Sequence, residues 1–412
     1  MLLLRKLSHI LNISVIVAAL GYFVDIFDLI LFGVVKDASL TELGFTGKEL
    51  LNKGVYLLNL QMVGMLAGGI LWGILGDKKG RISVLFGSIF LYSAANIANG
   101  FVHDINTYAI LRFIAGVGLA GELGAGITLV TETLEKEKRG YGTMVVVVFG
   151  ALGAVLAAFV GQLAESWRTA YFIGGGLGLA LLALRVGVLE SGMFKNISHQ
   201  NDVKKGDFLS IFTSRSRFTK YLACICVGLP VWFTIGILII FSKSFAEAQQ
   251  VNGTIVAGKA IMFAYLGLSL GDLASGIISQ VLHSRKKVVL IFLATSFILM
   301  MVYLFSHAPS VSYFYLLCFL LGISTGFWAI FVTIAAEQFG TNMRATVTTT
   351  VPNFVRGAVV PLTSSFLFLQ NSFGIIHSAM IVGSVSILLS GIAVLSLKES
   401  FSKDLNYIEE LA

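Results

Sequence analysis

Charge is scarce in this chain. Asp, Glu, Lys and Arg make up 12% of its 412 residues and hydrophobic residues 56%, a balance that excludes a water-soluble monomer. Cysteine is scarcer still. Cys224, Cys226 and Cys318 all lie in apolar runs, and an odd number with no histidine nearby excludes both a disulfide framework and a zinc site. The six histidines form no metal-ligand pair at helical spacing. Also missing are a phosphate-binding loop, a G-x-S-x-G turn and any nucleotide-binding segment, which argues against an ATP-driven pump or an enzyme. No cofactor is expected. The short alternating segments of a membrane β-barrel are absent too.

What fills the chain instead is a series of apolar runs, each about 20 residues and so long enough to cross the bilayer as a helix. Twelve are predicted, near 11–35, 54–76, 82–101, 107–131, 141–164, 170–189, 221–242, 258–283, 288–307, 313–336, 346–369 and 374–397. Arg5 and Lys6 precede the first, but that run is too long for a secretory signal and carries Asp25 and Asp28, so it reads as an uncleaved helix. Most basic residues fall on one side, among them Lys78, Lys79, Lys136, Lys138, Lys204, Lys205, Arg215, Arg217, Lys220, Arg285, Lys286 and Lys287. The opposite loops hold only Lys36, Lys48, Lys53, Arg168, Lys243 and Lys259. That bias predicts both termini in the cytoplasm, with the basic loops against anionic headgroups rather than nucleic acid.

The polar stretch 190–220 divides the chain into an N-terminal six-helix half (1–189), a cytoplasmic linker (190–220) and a C-terminal six-helix half (221–412). Phe208, Leu209, Ile211 and Phe212 interleave with its basic residues, as in a short amphipathic helix on the inner leaflet. The halves are related. Glu132 precedes Arg139, and 205 residues later Glu337 precedes Arg344 at the same spacing. Parallel repeats of this kind place substrate near the midplane, between the halves.

Residues 73–81, Gly-Ile-Leu-Gly-Asp-Lys-Lys-Gly-Arg, form a charged hinge between the second and third runs. Gly73, Asp77, Gly80 and Arg81 resemble the loop signature of major facilitator superfamily transporters, and Gly276 to Lys287 repeats it in degraded form. The resemblance implies an all-α membrane protein of twelve transmembrane helices in two pseudo-symmetric six-helix halves, working by alternating access. It also implies that Asp77, Arg81, Glu132, Arg139, Glu337 and Arg344 form a gating network at the cytoplasmic surface. The plainer reading of these six is that they terminate helices.

Charges inside the spans are the mechanistic candidates, because each costs roughly 2.5–3.5 kcal/mol on insertion and needs a partner or a wet cavity. Six stand out: Asp25, Asp28, Arg112, Glu122, Asp272 and Arg356. At about 1.5 Å per residue, Asp28 and Arg112 lie ~10 and ~8 Å from the outer ends of their spans and can face each other. Glu122, Asp272 and Arg356 fall near the membrane centre. Gly21-Tyr-Phe-Val-Asp-Ile-Phe-Asp28 and the run from Arg112 to Glu122 resemble the first and fourth helices of metabolite:proton and phosphate or sugar:proton symporters. That resemblance implies proton coupling by Asp28 and Arg112, with Asp25 or Glu122 as further carriers. Burial favours a neutral carboxyl and a nearby guanidinium an ionised one. A carboxyl whose distance from Arg112 changes would load and release a proton; a fixed bridge would only stabilise packing.

Arg356 lies between Pro352 and Pro361, which should bend the eleventh span toward a cavity. There it is placed to hold a carboxylate or phosphate, while Glu122 and Asp272 suit an ammonium group. Both signs together favour an amino-acid-like zwitterion or organic acid. Trp232 and Trp328 are candidate pocket walls, and Tyr22, Gln61, Gln162 and Asn353 weaker pocket candidates. The expectation is a monomeric proton-coupled importer in a bacterial inner membrane, with a small metabolite and protons as partners and the proton gradient as its drive. The rival is a proton-coupled antiporter exporting drugs or cations. The fifth span, Gly150 to Gly161, lacks the proline-containing glycine motif usual in drug exporters of that superfamily.

Overall fold

A computed structural model describes residues 13–79, 81–134, 139–189, 208–306 and 310–401. The first three spans are Ile13–Glu42, Gly47–Lys79 and Arg81–Asn99. The fourth comes in two pieces, Ile105–Leu119 and Glu122–Thr133; Arg139–Leu163 and Trp167–Leu189 complete the first half. The seventh runs Arg215–Phe233 and continues as a π-helix, Thr234–Ile239. Ala257–Leu282 and Arg285–Phe305 follow, then a tenth span again in two pieces, Val311–Thr325 and Trp328–Gln338. The eleventh begins as Thr341–Gly357, and the long run Val359–Ser396 holds its end and the whole twelfth, divided at Gly374, where φ is +71°. Twelve spans are therefore present, as the apolar runs predict.

Several ends differ from the sequence reading: the seventh span starts at Arg215, inside the expected linker, the eleventh at Thr341, and the first two spans are longer than expected. The first helix continues past Lys36 and Asp37 to Glu42, because Lys36 is buried with its ammonium against Asp37 and over the Phe241 ring at 5.1 Å. The second starts at Gly47, so its first turn carries the exposed Lys48 and Glu49 before the apolar stretch begins. Helix starts are capped where the chain turns. Asp104 accepts the Asn106 and Thr107 amides, and Ser284 and Ser310 do the same for Lys287 and Tyr313.

Small residues set the helix crossings, as expected where lipid supplies no hydrophobic drive. Gly64 and Gly68 lie directly on the backbone of the fourth span at Phe113 and Val117, where no Cβ fits. The same crossing recurs in the second half, with Gly267 and Gly271 on the tenth span at Phe319 and Ile323. The break of the fourth span at Gly121 also returns 205 residues later, at Gly326. The halves repeat in structure as they do in sequence.

Between the halves, the fifth span packs along the eighth and the second along the eleventh. Hydrogen bonds cross this interface at several levels. Thr363 donates to Asn59 at 2.7 Å, Lys48 to Asn371 at 3.2 Å, and Asn353 to the Ala120 carbonyl at 2.8 Å. On the face of the basic loops, Met144 packs over Gly276. Of the linker, residues 190–207 lie outside the described residues. Its end holds one helical turn, Ser210–Thr213, and Phe208 packs against Tyr221 and Phe354 of the second half.

Candidate functional site

The eleventh span is where local chemistry opens the interface. Pro361 has no N–H for the carbonyl four residues back, and its ring crowds that carbonyl, so the helix is interrupted between Gly357 and Val359. Arg356 sits in the last turn before the interruption. Its Nη2 lies 3.6 Å from Asp25 Oδ2 of the first span, and both side chains are 0% exposed. The ion pair therefore joins the two halves in the buried interior. Arg356 also donates to the Tyr22 hydroxyl at 3.3 Å and reaches Asn353 Oδ1 at 3.5 Å. Its guanidinium stands over the Tyr22 and Trp232 rings at 6.0 and 5.8 Å. Neither Asp25 oxygen makes a hydrogen bond.

Beside this pair lies an aromatic cavity shared by both halves. Tyr22, Ile26, Val147 and Ala151 line it from the first half, and Val231, Trp232, Ile235, Tyr265, Leu268 and Trp328 from the second. Its two tryptophans are placed by helix irregularities. Pro230 deprives the seventh span of a donor just before the π-helical turn, which carries Trp232 inward. Trp328 opens the second piece of the tenth span, and the two rings meet edge to face with centroids 6.4 Å apart. Asp272, one of the central acids, accepts the Ala329 amide at 3.0 Å and so caps the helix that presents Trp328. Its second oxygen makes no hydrogen bond.

Glu122 occupies a different setting. Its two oxygens accept from Arg185 of the sixth span at 3.1 and 3.0 Å, and one also accepts from Ser88 at 3.1 Å. Arg185 in turn donates to the Val17 carbonyl at 3.1 Å. The cluster fits against the first span only because residue 21 is glycine; a Cβ there would occupy the guanidinium's place. Glu122, expected to be a central acid open to substrate or protons, is thus held inside the first half. Arg185 was not singled out in the sequence, because it stands only four residues from the expected end of its span. Its presence five residues before the polar linker's first acid, Glu190, was the one available signal.

Asp28 and Arg112 share the first half's polar interior but are not hydrogen-bonded to each other. Arg112 donates to Asn96 at 2.7 Å and stacks over Tyr171 at 4.8 Å, while both Asp28 oxygens are buried without a hydrogen bond. Gln61 braces the first span through the Leu29 carbonyl at 3.3 Å. Asn353 joins Ala120 and Thr349 to Arg356. Gln162 is exposed near the end of the fifth span, away from the cavity it was expected to line, because one residue later that helix stops. Of the gating candidates, Glu337 lies 3.5 Å from Arg285 and accepts from Ser400 at 2.6 Å. The side chains of Asp77, Arg81, Glu132, Arg139 and Arg344 lie outside the described residues. No cluster suited to a metal ion occurs among the described residues.

Comparison with known proteins agrees with this architecture. The family profile of the Major Facilitator Superfamily matches residues 11–364. The chain is similar to the putative niacin/nicotinamide transporter NiaP of Bacillus subtilis, 26% identical over 91% of this chain and 94% of that protein. It is 27% identical to the sialic acid transporter NanX of Escherichia coli over 68% of each chain. The gentisate transporter of Corynebacterium glutamicum is 25% identical over 93% of this chain and 88% of its own.

Proposed function

We propose that the chain, which belongs to the Major Facilitator Superfamily, is a proton-coupled importer of a small aromatic carboxylate. It is a multi-pass membrane transporter and not an enzyme. The reading rests on one observation above all: a fully buried arginine at the interface of the halves, beside a cavity walled by two tryptophans and two tyrosines. A guanidinium suits a carboxylate, and the aromatic walls suit a flat ring attached to it. Relatives named for niacin/nicotinamide and gentisate transport support a ring-bearing substrate, and the one named for sialic acid transport also has a carboxylate in its named substrate. The zwitterion considered from sequence loses support, since Glu122 and Asp272 already have partners and offer less to an ammonium group.

In the orientation set by the basic loops, both termini are cytoplasmic, and the interface between the fifth and eighth and the second and eleventh spans opens alternately to either side. The proton gradient supplies the drive, and the buried carboxyls of the first span supply the proton-carrying groups. Proteoliposomes with an inward proton gradient should concentrate radiolabelled niacin, gentisate or benzoate. Arg356→Ala should reduce binding by at least about 30-fold, the low end of what truncating one partner of a buried charge pair does. Concentration of all three acids with Arg356→Ala unimpaired would sink this reading, and so would uptake of none. Proton movement opposite to that of the acid would instead favour the exporting antiporter.

A further inference from the structure

Two acids sit one turn apart on the first span, but only Asp25 reaches across to the second half, and it does so at Arg356, the group assigned above to the substrate's carboxylate. We propose that Asp25 is an internal stand-in for that carboxylate, so that substrate and Asp25 compete for Arg356 and the displaced Asp25 leaves as the neutral acid. The inference rests on the reading of Arg356 as the substrate's anchor.

The physical reason is charge balance in a dry site. The structure places one carboxylate and one guanidinium together at the interface, both 0% exposed. An incoming carboxylate would leave two anions facing one cation, and an isolated buried charge is too unfavourable to persist. Among the described residues packed around the pair there is no second free cation. On the fourth and sixth spans, Glu122 and Arg185 are bound to each other by two hydrogen bonds. On the eighth, Asp272 caps a helix and Tyr265 contributes a phenol. Tyr22 and Asp28 share the helix of Asp25, and the fifth span meets it through Gly150 and Gly153. Arg112, the nearest unclaimed cation in the first half, faces Asn96 and Tyr171. Taking one proton onto Asp25 restores neutrality: the proton binds a carboxylate oxygen, and the guanidinium passes from Asp25 to the substrate.

The contact is also built to be exchanged. At 3.6 Å, with no hydrogen bond to either Asp25 oxygen, Asp25 gives up no hydrogen bond on leaving Arg356, and protonation removes the charge that would otherwise hold it there. In this scheme one substrate carries one proton, and Asp25, rather than Asp28, is the coupling acid. Asp28 lies one turn away, where it can receive the proton from Asp25 or serve as a second store.

The test is niacin, gentisate and benzoate affinity of the purified protein across pH. The wild type should lose affinity about tenfold per pH unit above the range in which Asp25 loads, as one-proton linkage requires. Asp25→Asn should bind with pH-independent affinity at least as tight as the wild type at low pH, and should exchange substrate across a membrane without concentrating it. Asp28→Asn should keep the pH dependence. Should Asp25→Asn fail to fold, proton uptake by weakly buffered wild-type protein decides: about one proton per ligand bound supports the competition, and none overturns it. A persistent pH slope in Asp25→Asn, or its loss in Asp28→Asn alone, overturns the assignment to Asp25 while leaving Arg356 as anchor. Binding unaffected by Arg356→Ala, or binding of none of the three acids, removes the reading beneath it as well.

Discussion

Two buried ion pairs in this protein have the same ingredients and opposite construction. Glu122–Arg185 lies within one half, with two mutual hydrogen bonds of 3.1 and 3.0 Å and further bonds to Ser88 and the Val17 carbonyl. Asp25–Arg356 spans the two halves at 3.6 Å, and neither Asp25 oxygen is hydrogen-bonded. A buried pair survives only if its lone pairs and protons are satisfied. The first pair meets that condition and is a fixed strut that ties the fourth, sixth and first spans together. The second does not, and a pair under-satisfied at a moving interface is suited to changing partners. The difference teaches that burial and charge alone do not identify a transport site; the number of bonds each charge would have to give up does.

The contrast can be broken most severely at the strut. Arg185→Ala leaves Glu122 buried without a counter-charge and should lower stability by about 3–5 kcal/mol, read as thermal unfolding in detergent. Gly21→Leu should act in the same direction by displacing the guanidinium. Replacing both partners together, Glu122→Leu with Arg185→Met, should recover most of the loss, since it removes both charges and keeps the volume. Equal tolerance of Arg185→Ala and the double variant would show that the pair is not a strut.

A smaller effect sharpens the same comparison at the aromatic wall. Asp272→Leu leaves the Ala329 amide unpaired at the start of the helix carrying Trp328, which should lower stability by about 1–3 kcal/mol. Asp272→Asn keeps an acceptor and should lose well under half of that. If niacin binding fell more in Asp272→Asn than in Asp272→Leu, the acid would be contacting ligand and not the helix.

The smallest effect belongs to an acid outside the membrane layer. Glu399 follows the last span, where desolvation by its neighbours raises its pKa, but bonds from the Ser284 hydroxyl and the amides of Arg285, Ser400 and Phe401 outweigh that and hold it below the usual glutamate range. A depressed carboxyl contributes stability that is complete above the ordinary glutamate range and fades as pH falls through its lowered folded value. Because Glu399 is exposed, screening keeps the contribution below about 1 kcal/mol. Glu399→Gln should therefore lower stability slightly at neutral pH, by less than about 1 kcal/mol, and flatten the acid limb so that the two curves converge at low pH.

The spans were legible because a helix in lipid must satisfy its own backbone, so each had to be written as a long apolar run. The repeat was legible for a related reason: Gly121 and Gly326 break equivalent helices, as Glu132 and Glu337 end them. Height in the membrane was legible as well, which is why Asp25, Glu122, Asp272 and Arg356 stood out. Pairing was not. Rise per residue gives depth but not which way a side chain faces or which helix lies opposite. Depth suggested Asp28 with Arg112, and the two are electrostatic neighbours, but Arg112 gives its hydrogen bond to Asn96, and depth did not reveal that Asp25 meets Arg356. Arg185 escaped notice because a residue near the end of an apolar run looks like its terminus. Gln162 looked like a pocket residue for the converse reason, being polar inside a run that in fact stops one residue later.

The most direct measurement compares niacin with nicotinamide, and benzoate with benzamide, by calorimetric binding to the wild type and to Arg356→Ala. Each pair differs only in the group meant for the guanidinium. The wild type should prefer each acid over its amide at least tenfold at acidic pH, and Arg356→Ala should bind acid and amide alike. An acid preference that survives in Arg356→Ala would place the carboxylate elsewhere and contradict the assignment of Arg356.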